Sequence, residues 1–188
     1  MVFWHTGTVS VKVVPYSQEW PQLFDDIAER LRDALRGFPL IGIEHVGSTS
    51  VPGLAAKPII DVDIIARREF MAQAIDALAT AGYEHRGNLG LVDREAFFPP
   101  DDIPPRNVYL CVVGTLHLRN HMAVRDALRA SSALRDRYGA IKTELASDPT
   151  MTIERYLAGK SAMLQDILAV SDLTTEEKRQ VYELNTKL

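Results

Sequence analysis

Gly47-Ser48-Thr49-Ser50-Val51-Pro52-Gly53-Leu54-Ala55-Ala56-Lys57-Pro58-Ile59-Ile60-Asp61-Val62-Asp63 is the stretch whose reading decides the fold. From Ile59 to Ile65 every position that is not acidic is β-branched, which predicts a strand. Strand residues two apart point to one face, so Asp61 and Asp63 project together, roughly 7 Å apart along the strand. Two carboxylates so placed suit Mg2+, with Mn2+ as an alternative, because such ions take a few carboxylates together with phosphate oxygens and water. The Gly47-Ser48 turn offers backbone N–H groups and a hydroxyl to an anion, and glycine lets the backbone approach it closely. Metal carboxylates beside a phosphate-holding turn are the minimal parts for phosphoryl or nucleotidyl transfer. The competing readings are an exposed strand face or a carboxylate that caps a turn. Against them stands the cost of burying two adjacent carboxylates without a cation.

Outward from this stretch the elements read as an α+β chain: a mixed β-sheet flanked by helices, followed by a helical C-terminal third. Val9–Val14 reads as a short first strand. Ser17 and Pro21 open a helix whose apolar residues Trp20, Leu23, Phe24, Ile27, Leu31 and Leu35 follow helical spacing up to Gly37. Ile41, Ile43 and His45 alternate with Gly42 and Glu44, a strand that runs into the Gly-Ser turn. Pro52-Gly53 has the composition of a type II turn. Phe70–Ala81 reads as a helix closed by Gly82. Two strands are expected at Leu91–Phe98 and Val108–Val113, separated by a proline-rich loop. Helix is expected from Met122 onward, in pieces that end near Ala130, Leu145, Val170 and the C-terminus. A single domain over 1–188 is expected, with a sheet-containing core at 1–115 and a helical part at 116–188.

Composition narrows the function classes. The chain of 188 residues is long enough for one sizeable core, and its 46% hydrophobic and 24% charged content are ordinary for a soluble globular protein. A net charge of −4 argues against broad electrostatic binding of nucleic acid. No apolar stretch reaches the ~18 residues of a membrane span, and the first residues do not read as a secretory signal. Cys111 is the single cysteine, so no intrachain disulfide forms, which fits a cytoplasmic location.

The wording Glu44-His45-Val46-Gly47-Ser48-Thr49-Ser50-Val51-Pro52-Gly53-Leu54-Ala55-Ala56-Lys57-Pro58-Ile59-Ile60-Asp61 resembles the GrpB-like family of predicted nucleotidyltransferases. That family is similar to the wider polymerase-β-like nucleotidyltransferase superfamily, whose signature is a Gly-Ser followed, a loop later, by Asp-x-Asp on a strand. Tyr16 with Glu19-Trp20-Pro21, Arg94 with Phe97, Arg125-Asp126 with Leu128-Arg129, and Tyr156 with Lys160 extend the resemblance over most of the chain. The resemblance implies a nucleotidyltransferase-like fold and a reaction class, and leaves the substrate open. Superfamily enzymes often place a third carboxylate on a later strand. Asn107-Val108-Tyr109-Leu110-Cys111 offers none there.

The expected catalytic and metal-binding residues are Asp61 and Asp63. The expected nucleotide-binding residues are Gly47, Ser48, Thr49, Lys57, Arg94, Arg125, Tyr156 and Lys160. Several keep a second reading. Lys57 is also explained as a solvated loop lysine, Arg94 and Arg106 as lone surface arginines, and Tyr156 with Lys160 as an ordinary amphipathic pair. His45 is as well explained by packing as by a site role. His117 and His121 stand at ligand spacing, with no acid after His117 and no third soft ligand. Arg119, Arg125, Arg129, Arg135, Arg137 and Lys142 read as a solvated basic stretch or as a wall that receives phosphates. The expected activity is Mg2+-dependent transfer of a nucleoside monophosphate from a nucleoside triphosphate to a hydroxyl of a small molecule or protein. The alternative is a non-catalytic nucleotide-binding, regulatory or interaction module.

Overall fold

The computed structural model describes residues 11–186, with side chains to residue 183. A five-stranded mixed sheet forms the centre of one compact unit, in the order β1-β2-β5-β4-β3. Its strands are β1 (Gly42–Val46), β2 (Ile60–Ala66), β3 (Glu84–His85), β4 (Arg94–Phe98) and β5 (Arg106–Val112). Only the β2–β5 pair is parallel; β1–β2, β4–β5 and β3–β4 are antiparallel. The register sets Asp61 opposite Asn107 and Asp63 opposite Tyr109 on one side, and Val46 and Glu44 on the other.

This unit comprises Gln18–Val46 and Ile59–Leu118. Period 2 gives β2 and β5 two chemically different faces. Val62, Ile64, Val108 and Leu110 are all buried on the face away from the aspartates. That face receives α1 (Trp20–Ala34), which starts with Pro21 in its first turn and buries Trp20, Ile27, Ala28 and Leu31. His45 shares the face of Val62 and stacks on Phe24 of α1, ring centroids 4.7 Å apart and 6° from parallel. The packing reading of His45 therefore holds. The helix α2 (Met71–Thr80) ends at Gly82, whose φ of +90° no L side chain adopts cheaply.

The other unit comprises Gly47–Pro58 and Arg119–Leu188, with Met1–Ser17 as far as it is described. Its helices are α3 (Leu116–Ala130, of which the first three residues belong with the sheet), α4 (Ser132–Ser147), α5 (Ile153–Ala169) and α6 (Thr175–Thr186). Val51 and Leu54 of the loop pack with Leu128, Tyr138, Met163 and Ile167 into one apolar cluster. Gly53 has φ +82° and Leu54 N donates to Val51 O at 3.1 Å, as a type II turn requires.

Three expectations shift. The strand expected at Leu91–Phe98 begins only at Arg94, because Asp93 adopts φ +66° and turns the chain. Helix begins at Leu116 rather than Met122. Of the strand expected at Val9–Val14, residues 9 and 10 lie outside the described residues, and the rest forms a single bridge, Val14 to Ala56.

Leu110 is fully buried in the face shared by the sheet and its helices. Leu110→Ala is expected to cost about 2–5 kcal/mol, read as a lowered urea midpoint with the m-value unchanged.

Candidate functional site

Asp61 and Asp63 lie side by side on the sheet face opposite α1. Asp63 is fully buried and Asp61 half-buried. Asn107 Nδ2 donates to Asp61 Oδ1 at 2.6 Å, so an amide on β5 fixes the orientation of that carboxylate. Tyr109, the register partner of Asp63, has its phenol pushed up by burial and then by the charge of Asp61, with Asp63 adding to it and Arg94 opposing. Cys111 follows on the same face, and burial and the charge of Asp63 push its thiol up as well. It stays a protonated thiol, suited to packing and not to nucleophilic attack.

Arg94 reaches this face from β4, where it is paired with Cys111. Only 2% of it is exposed. Its guanidinium carbon lies 4.6 Å over the Tyr109 ring, and Nη1 is 3.4 Å from His117 Nε2. Nε and Nη2 of Arg94 have no hydrogen-bond partner among the described residues. A buried guanidinium with unused donors is costly, and a planar anion that accepts from it removes the cost. Arg106 differs: its register places it with Ile60, on the opposite face, where Nη1 donates to Asp101 at 2.7 Å and to the Pro104 carbonyl at 3.0 Å.

The acids are all oxygen donors, as Mg2+ or Mn2+ prefers. Glu44 shares their face in register with Asp63. Among the described residues no three His, Cys, Asp or Glu side chains gather into a metal-holding set. Two carboxylates fit an ion that takes its remaining ligands from phosphate and water.

In the other unit, Gly47 adopts φ +69° and ψ −173°, a region essentially reserved for glycine. Ser48–Ser50 then form one 3₁₀ turn, with Thr49 buried. Ser50 Oγ donates to the Gly47 carbonyl at 2.6 Å. Arg129 Nε and Nη2 both donate to the Ser50 carbonyl, at 3.0 and 2.7 Å. Arg129 thus pins the turn from α3, a role the sequence did not single out. Arg125 is buried and its Nε donates to Asp126 at 2.7 Å.

Lys57 and Lys160 converge on Tyr156, whose phenol burial pushes up. Lys160 Nζ lies 4.7 Å and Lys57 Nζ 5.6 Å from the ring centroid. Lys142, read from sequence as part of a basic stretch, is instead 1% exposed. Its Nζ has no hydrogen-bond partner among the described residues and lies 4.5 Å over the Tyr138 ring. Burial, then the charge of Lys160, lowers its pKa to about 6. Helical spacing would have found it: Lys142 stands four residues after Tyr138 and three before Leu145, on the apolar side of α4. Arg119, Arg135 and Arg137 point outward into ion pairs with Glu177, Asp136 and Asp166.

Residues 10–170 match the GrpB protein family, and the chain belongs to that family. It is 34% identical over 168 residues to the UPF0157 protein BH1888 of Halalkalibacterium halodurans, covering 88% of this chain and 84% of that one. Identity to the UPF0157 protein YqkA of Bacillus subtilis is 32% over 156 residues; the match covers 82% of this chain and only 45% of YqkA. The crystal structure of the conserved protein GrpB from Enterococcus faecalis has the same fold, at TM-score 0.74 and 30% identity over 91% of this chain and 99% of that one. No helix among the described residues is long and apolar enough to cross a membrane.

Two stability measurements check these assignments. Arg129→Met removes two charge-assisted bonds to the Ser50 carbonyl; it is expected to cost about 1.5–3 kcal/mol and to raise hydrogen exchange at Ser50 and Val51. Lys142→Met is expected to be more stable than the wild type. Unfolded Lys142 binds its proton at up to about 10.5 and the folded residue only to about 6, so folding expels a proton between these values. The advantage of the variant therefore grows as pH falls from about 10.5 to about 6 and is constant below. A gap between the two melting curves that does not vary with pH would contradict the burial of a lone amine.

Proposed function

We propose that the protein is a Mg2+-dependent nucleotidyltransferase that moves a nucleoside monophosphate from a nucleoside triphosphate to a hydroxyl-bearing small molecule or protein. One observation carries this reading. Two adjacent carboxylates and a buried guanidinium with unused donors share one sheet face. The first attract a cation and the second an anion. A metal-bound phosphate supplies both charges at once.

Asp61 and Asp63 would hold the metal, and Asn107 keeps Asp61 oriented towards it. When bound, the ion neutralises charge on the phosphate oxygens. Arg94 would hold phosphate oxygens through Nε and Nη2. Gly47, Ser48 and Thr49, with Lys57, Arg125, Tyr156 and Lys160, belong to the other unit; their part in nucleotide binding is proposed from the sequence signature, and the Gly47–Thr49 turn offers backbone N–H groups to phosphate oxygens. An aspartate accepts the proton of the acceptor hydroxyl. The new oxygen–phosphorus bond forms at the α-phosphorus, its bond to the bridging oxygen breaks, and pyrophosphate leaves with that electron pair. The single buried cysteine and the acidic balance support a cytoplasmic protein that does not use nucleic acid as its acceptor.

A second reading is a nucleotide-binding module without turnover. The register favours it in one respect: the places beside Asp61 and Asp63 on β5 are filled by Asn107 and Tyr109, neither of which is an acid.

Calorimetry with ATP, GTP, CTP and UTP, with and without Mg2+, tests both. Mg2+-dependent binding of at least one nucleotide is expected, lost in the Asp61→Asn, Asp63→Asn variant and weakened about 10- to 100-fold in Arg94→Met. Equal binding by wild type and the double variant would sink the metal site. Binding with no transfer to any acceptor would select the second reading. A variant that binds but no longer transfers, Asp61→Asn in particular, would select the first.

A further inference from the structure

Lys142 is a buried titratable group that the proposed mechanism leaves unused. It lies within one compact unit together with Lys57 and Lys160. Loop 51–58, α4 and α5 each contribute one lysine: Lys57 Nζ and Lys160 Nζ lie 5.6 and 4.7 Å from the Tyr156 ring centroid, and Lys142 Nζ 4.5 Å from that of Tyr138. The tyrosine faces offset part of the charge. They do not supply an acceptor for Lys142 Nζ, which has none among the described residues. The charged group that acts on Lys142 is Lys160, across from it on α5, and it is of like sign. The arrangement therefore buries at Lys142 an amine that no acid among the described residues compensates and that stays neutral at pH 7.5 until an anion recharges it. For stability alone an apolar side chain of similar length would serve better.

Lys57 and Lys160 are half-buried, so a ligand reaches them from solvent, and Lys142, close enough to Lys160 to feel its charge, supplies a third donor. Two ammonium groups and a third amine that an anion recharges match an anion with several charged oxygens spread along a chain; a lone carboxylate would satisfy one of them. We infer that Lys57 and Lys160 on Tyr156, together with Lys142 on Tyr138, form a centre that binds a polyphosphate chain without needing a metal ion. The inference rests on the proposed function for the assignment of Lys57, Tyr156 and Lys160 to a nucleotide, and not for the existence of the centre. Two sources share this chemistry, the tail of a nucleoside triphosphate and free inorganic polyphosphate.

The test is calorimetric titration of the full chain with inorganic tripolyphosphate at pH 7.5 in the presence of EDTA. Binding is expected, weakened about tenfold or more in Lys142→Met and in Lys160→Met. The anion recharges Lys142, so the wild type takes up protons on binding, measured in buffers of different ionisation enthalpy, and Lys142→Met takes up fewer. Lys142→Met melts above the wild type without ligand, so lost affinity is not lost folding. The Asp61→Asn, Asp63→Asn variant keeps metal-free tripolyphosphate binding, which separates failure of the metal site from failure of this centre. Displacement of tripolyphosphate by metal-free ATP identifies a nucleotide tail as the ligand; binding of tripolyphosphate with no displacement identifies free polyphosphate. Absence of binding by the wild type, or equal affinity and proton uptake in Lys142→Met, overturns the inference.

Discussion

The parallel pairing of β2 with β5 is the constraint on which the sheet unit depends. β2 is bonded on both sides, so each of its residues must satisfy two neighbouring strands at once. Its β-branched side chains supply stiffness and one apolar face. The acids must then all fall on the other face, and a slip of one residue would drive both of them against α1. The rise of the strand itself sets the distance between Asp61 and Asp63. Burial of the apolar face fixes the register, and the register decides what stands beside them. Asn107 meets Asp61, Tyr109 meets Asp63, and Arg94 enters from the next strand along. The chemistry of the face is a consequence of packing on its reverse.

The Gly-Ser loop follows a different logic. It continues β1 and precedes β2 in the chain, yet its side chains pack with the C-terminal helices. Val51 and Leu54 enter the helical core, Arg129 grips the Ser50 carbonyl, and a Cβ on Gly53 would stand 3.4 Å from the Arg135 guanidinium. Gly139 of α4 keeps Leu54 close, since a Cβ there would lie 3.4 Å from its Cδ1. The two halves of the motif are thus held by separate cores: the aspartates by the sheet, the Gly-Ser turn by helices. Reading the motif as one linear signature hides this division.

How far the sequence was legible follows from the same physics. Long periodic elements were readable: α1 from its apolar stripe, β2 from its β-branched run, the helix ends from Gly37 and Gly82. Asp61 and Asp63 were readable as a pair because period 2 is local. Elements without a period were not. β3 has two residues, and the first turns of α3 carry His117, Arg119, Asn120 and His121, which mask its two leucines. The turn at Asp93 depends on a positive φ that an aspartate tolerates but does not announce. The sorting of the strand arginines lay beyond a linear reading: Arg106 turns to the helix side because strand register sends it there. Lys142 was legible in the period of α4, four residues after Tyr138, and was hidden only by its basic neighbours in the sequence.

The buried cations divide by what compensates them. Arg125 faces Asp126, Arg106 faces Asp101, and Arg129 spends its donors on a carbonyl. Each is explained by the fold, because the charge-assisted bonds offset the desolvation. Arg106 leaves its Nε unbonded but spends Nη1 on an acid and a carbonyl, whereas Arg94 has both Nε and Nη2, and Lys142 its one Nζ, buried and unbonded among the described residues. A ring face lies against each, Tyr109 under Arg94 and Tyr138 under Lys142. A cation–π contact accepts charge and leaves the N–H directions unfilled. On the proposed function, side chains held that way would be pre-positioned donors, ordered before any anion arrives, so an incoming phosphate would meet little of the entropy cost of arranging them. The same burial that makes them costly to the empty protein would strengthen their hold on an anion, because an anion there would be shielded from competing water.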